Sequence, residues 1–295
     1  VNCRNSAPVG AAGGPGTAGG IAGAAVGSTI ETCINSGEVR ADGGTVGGIV
    51  GSLRADSRLE DSRNTAPVTG GANTGGLAGK VDNSALWQGV NSGAVEGGSQ
   101  TGGLAGSADG KSTLESSDNT AAVRGGTNTG GLVGSLEGAL NDCLNLGAVE
   151  GNASSRGGLA GKRTDDAVIT DSFYYADPSD GIRSVGAGTV YTPADSPAED
   201  EPPADRRLTA ALFEENGVPA PDFTDRAAVR AALESLPEGE DAAPPADDPS
   251  GGPSEDGSSS EEAAPVEPPR EEASSSPEPS SVPDDPAEGG ESPAS

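Results

Sequence analysis

The sequence predicts an all-β fold: a right-handed parallel β-helix, or β-solenoid, of about six coils, with a short C-terminal helical cap and a disordered acidic tail. Three observations lead there. A five-residue signature recurs at a near-constant period, three further columns of residues recur with it at fixed offsets from one another, and the intervening stretches are dense in Gly, Asn and Asp. Helix is disfavoured over the same stretch, because the Gly content is high and the apolar positions do not follow a 3.6-residue period.

The signature reads Gly19-Gly20-Ile21-Ala22-Gly23, Gly47-Gly48-Ile49-Val50-Gly51, Gly75-Gly76-Leu77-Ala78-Gly79, Gly102-Gly103-Leu104-Ala105-Gly106, Gly130-Gly131-Leu132-Val133-Gly134 and Gly157-Gly158-Leu159-Ala160-Gly161. The spacings are 28, 28, 27, 28 and 27 residues. An Asn column (Asn5, Asn35, Asn64, Asn91, Asn119, Asn145) is followed four residues later by Val9, Val39, Val68, Val95, Val123 and Val149. Five residues before each Asn stands Ile30, Leu59, Leu86, Leu114 or Leu140, and the series continues to Ile169. Each coil therefore offers three apolar anchors separated by turns, which suggests a three-sided coil with one anchor on each inner wall. Three aliphatic side chains cannot offset the backbone entropy of a whole repeat, so the coils must stack, with equivalent side chains about 4.8 Å apart.

The Gly pairs read as turn or close-approach positions. A phosphate-cradling loop would need a following helix and usually a Lys, and neither is there. The Asn column reads as turn-forming amides that pair from coil to coil. Cys3, Cys33 and Cys143 share a column with Ser62, Gly89, Ser117 and Ser172, so it is a ladder of small residues. Cys3 and Cys33 fall on adjacent coils at a separation that a disulfide spans, whereas Cys143 lies too far along the stack to share a metal with them. The last copy departs from the pattern at Phe173-Tyr174-Tyr175, with Tyr174 in the Asn column. Large side chains there suit a terminal cap, and an aromatic ligand platform is the alternative. Trp87, beside Leu86, is expected to face outward over a turn.

Residues 1–175 thus form the solenoid and 176–236 a cap region. Asp205 is placed to cap a helix through Leu208, Leu212 and Phe213 that stops at Gly217. Thr224 is placed to cap a second through Val229, Leu233 and Leu236 that stops at Pro237, both folding against the last coil. Residues 237–295 carry 17 acidic side chains and one basic, and 19 of the 23 prolines lie after position 192. That mixture reads as an extended, self-repelling disordered tail.

A net charge of −29 excludes a nucleic-acid binder, which needs a basic footprint. No apolar run reaches membrane-spanning length, so no direct membrane insertion is expected. The chain has no Met and opens at Val1 in mid-repeat, so it reads as a fragment or processed piece and the missing leader says nothing of compartment. The absence of His excludes Ser-His-Asp and Cys-His nucleophilic systems, His general bases and His-ligated zinc. Carboxylate chemistry survives, with the loops Lys80-Val81-Asp82 and Lys162-Arg163-Thr164-Asp165-Asp166 as candidates for a polysaccharide-cleaving site. Loop charges normally serve solvation, and these vary from coil to coil. No catalytic, metal or cofactor residues are therefore assigned.

The Gly-[Leu/Ile]-[Ala/Val]-Gly core, with lead-ins such as Asn35-Ser36-Gly37-Glu38-Val39 and Asn91-Ser92-Gly93-Ala94-Val95, resembles the GLUG-motif repeat. The resemblance covers about residues 1–175. It departs at Asn5-Ser6-Ala7, Asn64-Thr65-Ala66 and Asn119-Thr120-Ala121, where Ala replaces Gly. Such repeats occur in bacterial surface and secreted proteins, including regions outside the catalytic part of immunoglobulin-A metallopeptidases. The resemblance implies an extracellular or cell-surface location and a stalk or adhesin-like role. No protease activity carries over, because that zinc motif requires His. The expected function is a non-catalytic scaffold meeting extracellular glycans or host or matrix proteins; the alternative is the polysaccharide-cleaving enzyme.

Overall fold

The computed structural model describes residues 2–11, 16–177, 180–188 and 207–236. The expected tail at 237–295 and the expected cap residue Asp205 lie outside the described residues. The fold is a parallel β-solenoid of about six turns, built from four sheets in which every strand pairs in parallel with its equivalents in neighbouring coils. The repeat period fixes this register. Leu59 pairs with Ile30 and Leu86, Val68 with Val39 and Val95, and Asn64 with Asn35 and Asn91.

One coil shows the plan. Thr45–Gly47 and Val50–Arg54 lie in the Gly sheet, Arg58–Glu60 in the Leu sheet, Arg63–Asn64 in the Asn sheet and Val68–Thr69 in the Val sheet. The coil thus has five short strands where three anchors had suggested three sides. The signature Ile/Leu sits at the bend between the two Gly-sheet strands. In the first coils the three anchors also do not share one core, whereas Val149 of the last coil joins the Leu/Ile cluster. The signature and ladder Leu/Ile residues pack together with Leu53, Val81 and Leu136, four residues beyond the signature Ile/Leu. Val39 and Val68 pack instead with Ala18, Ala41 and Val46 in a separate cluster. In later coils Thr74, Thr101 and Thr129 follow Val46 in register, and the hydroxyls of Thr101 and Thr129 are buried without a hydrogen-bond partner among the described residues.

The signature glycines are required by close approach. A Cβ on Gly48 would strike the Gly76 carbonyl and the Asn64 amide, and one on Gly103 would strike Gly131 and Asn119. Positive φ falls elsewhere. Thr32, Asp61, Gln88, Ser116, Asp142 and Asp171, three residues before each Asn-column position, all have φ between 44° and 54°. This left-handed corner costs roughly 1–2 kcal/mol per non-Gly residue, offset by regular bonding. Thr32, Asp61, Gln88, Ser116 and Asp142 each donate a backbone N–H to the next coil, at 3.0–3.1 Å.

The Asn column forms a continuous amide ladder. Each Nδ2 donates to the Oδ1 of the next coil, from Asn5 through Asn35, Asn64, Asn91 and Asn119 to Asn145, at 2.8–2.9 Å. Each amide also closes a turn on its own coil, as Asn91 does with Gly93. The residue two after each Asn alternates: Ala7, Gly37, Ala66, Gly93, Ala121, Gly147. At Gly37, Gly93 and Gly147 a Cβ would collide with the carbonyl oxygen of Ala7, Ala66 or Ala121 in the preceding coil. The Ala-for-Gly departures therefore follow a two-coil rule.

At the C-terminal end Tyr174 pairs with Asn145, is fully buried, and donates its hydroxyl to the Ile182 carbonyl at 3.1 Å. The stack runs beyond residue 175, since Arg183–Gly188 adds a strand beside Arg156–Arg163 and Arg207–Leu208 adds one beside Phe173–Tyr175. Helix α1 (Ala210–Glu215) is capped by Thr209 and helix α2 (Arg226–Glu234) by Asp225. Leu208 is in a strand, and Thr224 bonds Asp222 instead of capping a helix. Both helices fold against the last coils. Phe213 and Val229 pack with Leu144, Leu208, Phe173 and Tyr175, the outer side of the Asn sheet, and Tyr175 stacks on Phe223 at 4.5 Å. Arg226 and Arg230 both reach Asp118, whose side chain is fully buried, and Arg230 also pairs with Asp142 at 2.5 Å. The helical pair is a lateral brace across the last coils.

Candidate functional site

The candidate loops do not converge. Lys80 and Lys162 occupy one outward column but are separated by the rungs of Ser107 and Ser135, about 14 Å at the strand spacing. Lys80 is paired with Asp82 at 3.1 Å on the surface. Arg163 takes the register position of Leu136, a core column, and its buried Nε has no hydrogen-bond partner among the described residues. Asp165 and Asp166 lie in an exposed turn beyond it. The most organised carboxylate near these loops is Asp109. Burial opposes its ionisation, but bonds from Ser112 Oγ at 2.5 Å and the Asn83 N–H at 3.0 Å outweigh it and hold the carboxyl below its ordinary range. Those bonds tie turns together and present no free acid or base.

Among the described residues no group of three or more His, Cys, Asp and Glu side chains is placed to hold a metal. The three Cys are not joined in disulfides. In their column Cys33, Gly89 and Cys143 donate backbone N–H groups to Ser62, Ser117 and Ser172 Oγ, so the small-residue ladder is also a hydrogen-bonded one. Full burial pushes the Cys143 thiol up to about 12.

A concave feature lies on the outer face of the Leu sheet. Because ladder residues point inward, the residues on either side of each Leu point outward. One outward column reads Glu31, Glu60, Trp87, Glu115, Asn141, and the other Thr29, Arg58, Ala85, Thr113, Ala139. Ala85, between Arg58 and Thr113, leaves a notch of about 520 Å³ beside Trp87. Glu60 and Glu115 flank the indole on adjacent rungs. Arg58 pairs with Glu60 at 3.4 Å, whereas Glu115 has no ion pair among the described residues. Trp87 is 40% exposed. It faces outward as expected, but from a strand and not from a turn. Its carboxylate neighbours went unnoticed in the sequence, although taking the residue after each ladder Leu lines them up. In the alternative aromatic platform, Phe173 to Tyr175, Tyr174 is fully buried and Phe173 and Tyr175 are half-buried against the helical pair.

An aromatic face with a carboxylate beside it can stack on a ligand and hold it by charge or hydrogen bonding. A second carboxylate, Glu60, stands on the other side of the ring and is engaged by Arg58. No helix of the described residues is long and apolar enough to cross a membrane. No family model matches the chain, and no curated protein or solved structure is found to be similar to it.

Proposed function

We propose that the chain is a non-catalytic, surface-displayed or secreted repeat scaffold of stalk or adhesin-like type, and that its contact face is the outer wall of the Leu sheet. The observation that carries this is the exposed Trp87 in a notch on a flat wall, while the candidate catalytic loops lie rungs apart. Isolated exposed apolar side chains are ordinary, but a single Trp seated between in-register carboxylates is the kind of anchor that dominates contact energies. The partners proposed are extracellular glycans or host or matrix proteins. The GLUG-like signatures support a surface or secreted location, and that support rests on the sequence alone.

The test is a panel of polysaccharides and peptides incubated with the purified chain, scoring both turnover and retention. Retention that is lost in Trp87→Ala, without product formation, is the expected result. Turnover abolished in Lys162→Ala, Asp165→Asn or Asp166→Asn would overturn it in favour of a polysaccharide-cleaving enzyme.

A further inference from the structure

The charge around Trp87 narrows the ligand. Of the charged side chains lining the notch, Arg58 and Glu60 neutralise each other, which leaves Glu115 as the uncompensated charge against the ring. Glu31 adds a second carboxylate one rung below Glu60 in the same column. An indole face attracts a cation through its quadrupole, and an adjacent carboxylate supplies a counter-charge on the same side. A neutral sugar would use the ring equally well but would draw nothing from the charge asymmetry.

We propose that the notch binds the cationic side chain of a basic protein segment, with the ammonium or guanidinium group between the Trp87 ring and the Glu115 carboxylate. This rests on the binding reading above and identifies its ligand by charge. Thr113, Ala85 and Leu86 also line the notch, so the side chain lies along them by its aliphatic stem and its head meets charge.

Trp87 is the chain's single Trp, so its emission reports on this notch alone. The probe is a lysine nonapeptide, with an arginine nonapeptide as a second arm and a neutral β-linked oligosaccharide as a third. A saturable change of Trp87 emission with the basic peptides is expected, disappearing at high salt. Glu115→Gln should weaken it about two- to fivefold, the range for one partly exposed ion pair. Glu96→Gln removes the same charge from the exposed face of the Val sheet and should leave it unchanged. Equal weakening by both variants would mean that the peptide responds to net charge, and would overturn the proposal. A response to the oligosaccharide but to neither peptide would overturn the cationic ligand while leaving the binding reading standing. Silence in all three arms would remove both.

Discussion

Replacing Asn91 by Ala removes a link from the middle of the amide ladder. Asn91 Nδ2 donates to Gly93 O at 2.9 Å and to Asn119 Oδ1 at 2.8 Å, while its Oδ1 accepts from Asn64 Nδ2 at 2.9 Å and from the Gly93 N–H at 3.3 Å. All of these groups are buried, so none recovers a partner from water. A buried polar group left unsatisfied costs about 1–3 kcal/mol, and some retain a second partner, so the summed loss is about 3–6 kcal/mol. Asn5 stands at the partly exposed end of the ladder and makes one bond to a neighbouring coil, to Asn35. Asn5→Ala should therefore cost only about 1 kcal/mol. Asn91→Asp keeps the volume but removes both donors, and should cost at least as much as Ala at neutral pH. Urea denaturation followed by circular dichroism gives each free energy by linear extrapolation. If Asn91→Ala cost no more than Asn5→Ala, the ladder would contribute nothing beyond local turns and the reasoning would fail.

Three further outcomes are expected. Val95→Asp places a carboxylate in the buried Val column between Val68 and Val123, and should disrupt the central coils; an unchanged melting temperature would refute the register. Asp118→Ala leaves Arg226 to solvent and Arg230 with Asp142 alone, a loss of about 1.5–3 kcal/mol for hydrogen bonds to a charged group, read as release of the helical brace by hydrogen exchange in α2; protection unchanged from the parent would count against it. Cys143, protonated at neutral pH with its thiol raised to about 12, should resist alkylation in the folded chain and react at once in denaturant. The sign follows from the raised value: the thiol form fits the core, so its contribution to stability is lost only as the pH climbs past the unfolded value near 9 towards 12.

The stacking of equivalent residues explains why so much of the solenoid was legible. When a column keeps its offset, register follows, and Leu59, Val68 and Asn64 meet their counterparts without tertiary information. The corners were not legible, because Thr32, Gln88 and Ser116 share a left-handed φ with Asp61 but no residue type that announces it. The brace was hidden for another reason. Arg230 meets Asp118 across 112 residues, and nothing in a local helical pattern reveals which surface will receive it. At the candidate site, the outward direction of Trp87 followed from its place beside Leu86. Its notch depends on Ala85, a small residue whose significance appears only beside Arg58 and Thr113.

The Ala/Gly alternation two residues after each Asn has a genetic corollary. If Ala-bearing and Gly-bearing turns must take turns along the axis, the unit of duplication is a pair of coils, and an array lengthened or shortened by one coil goes out of phase. Excising residues 76–102 would bring the Ala66 carbonyl against Ala121, where the present chain seats that carbonyl on Gly93. Excising residues 48–102 removes twice as much, yet sets Ala121 above Gly37 and preserves the alternation. The larger deletion should therefore give the better-folded protein, with sharper thermal unfolding; the opposite ranking would show that each coil is interchangeable with its neighbour.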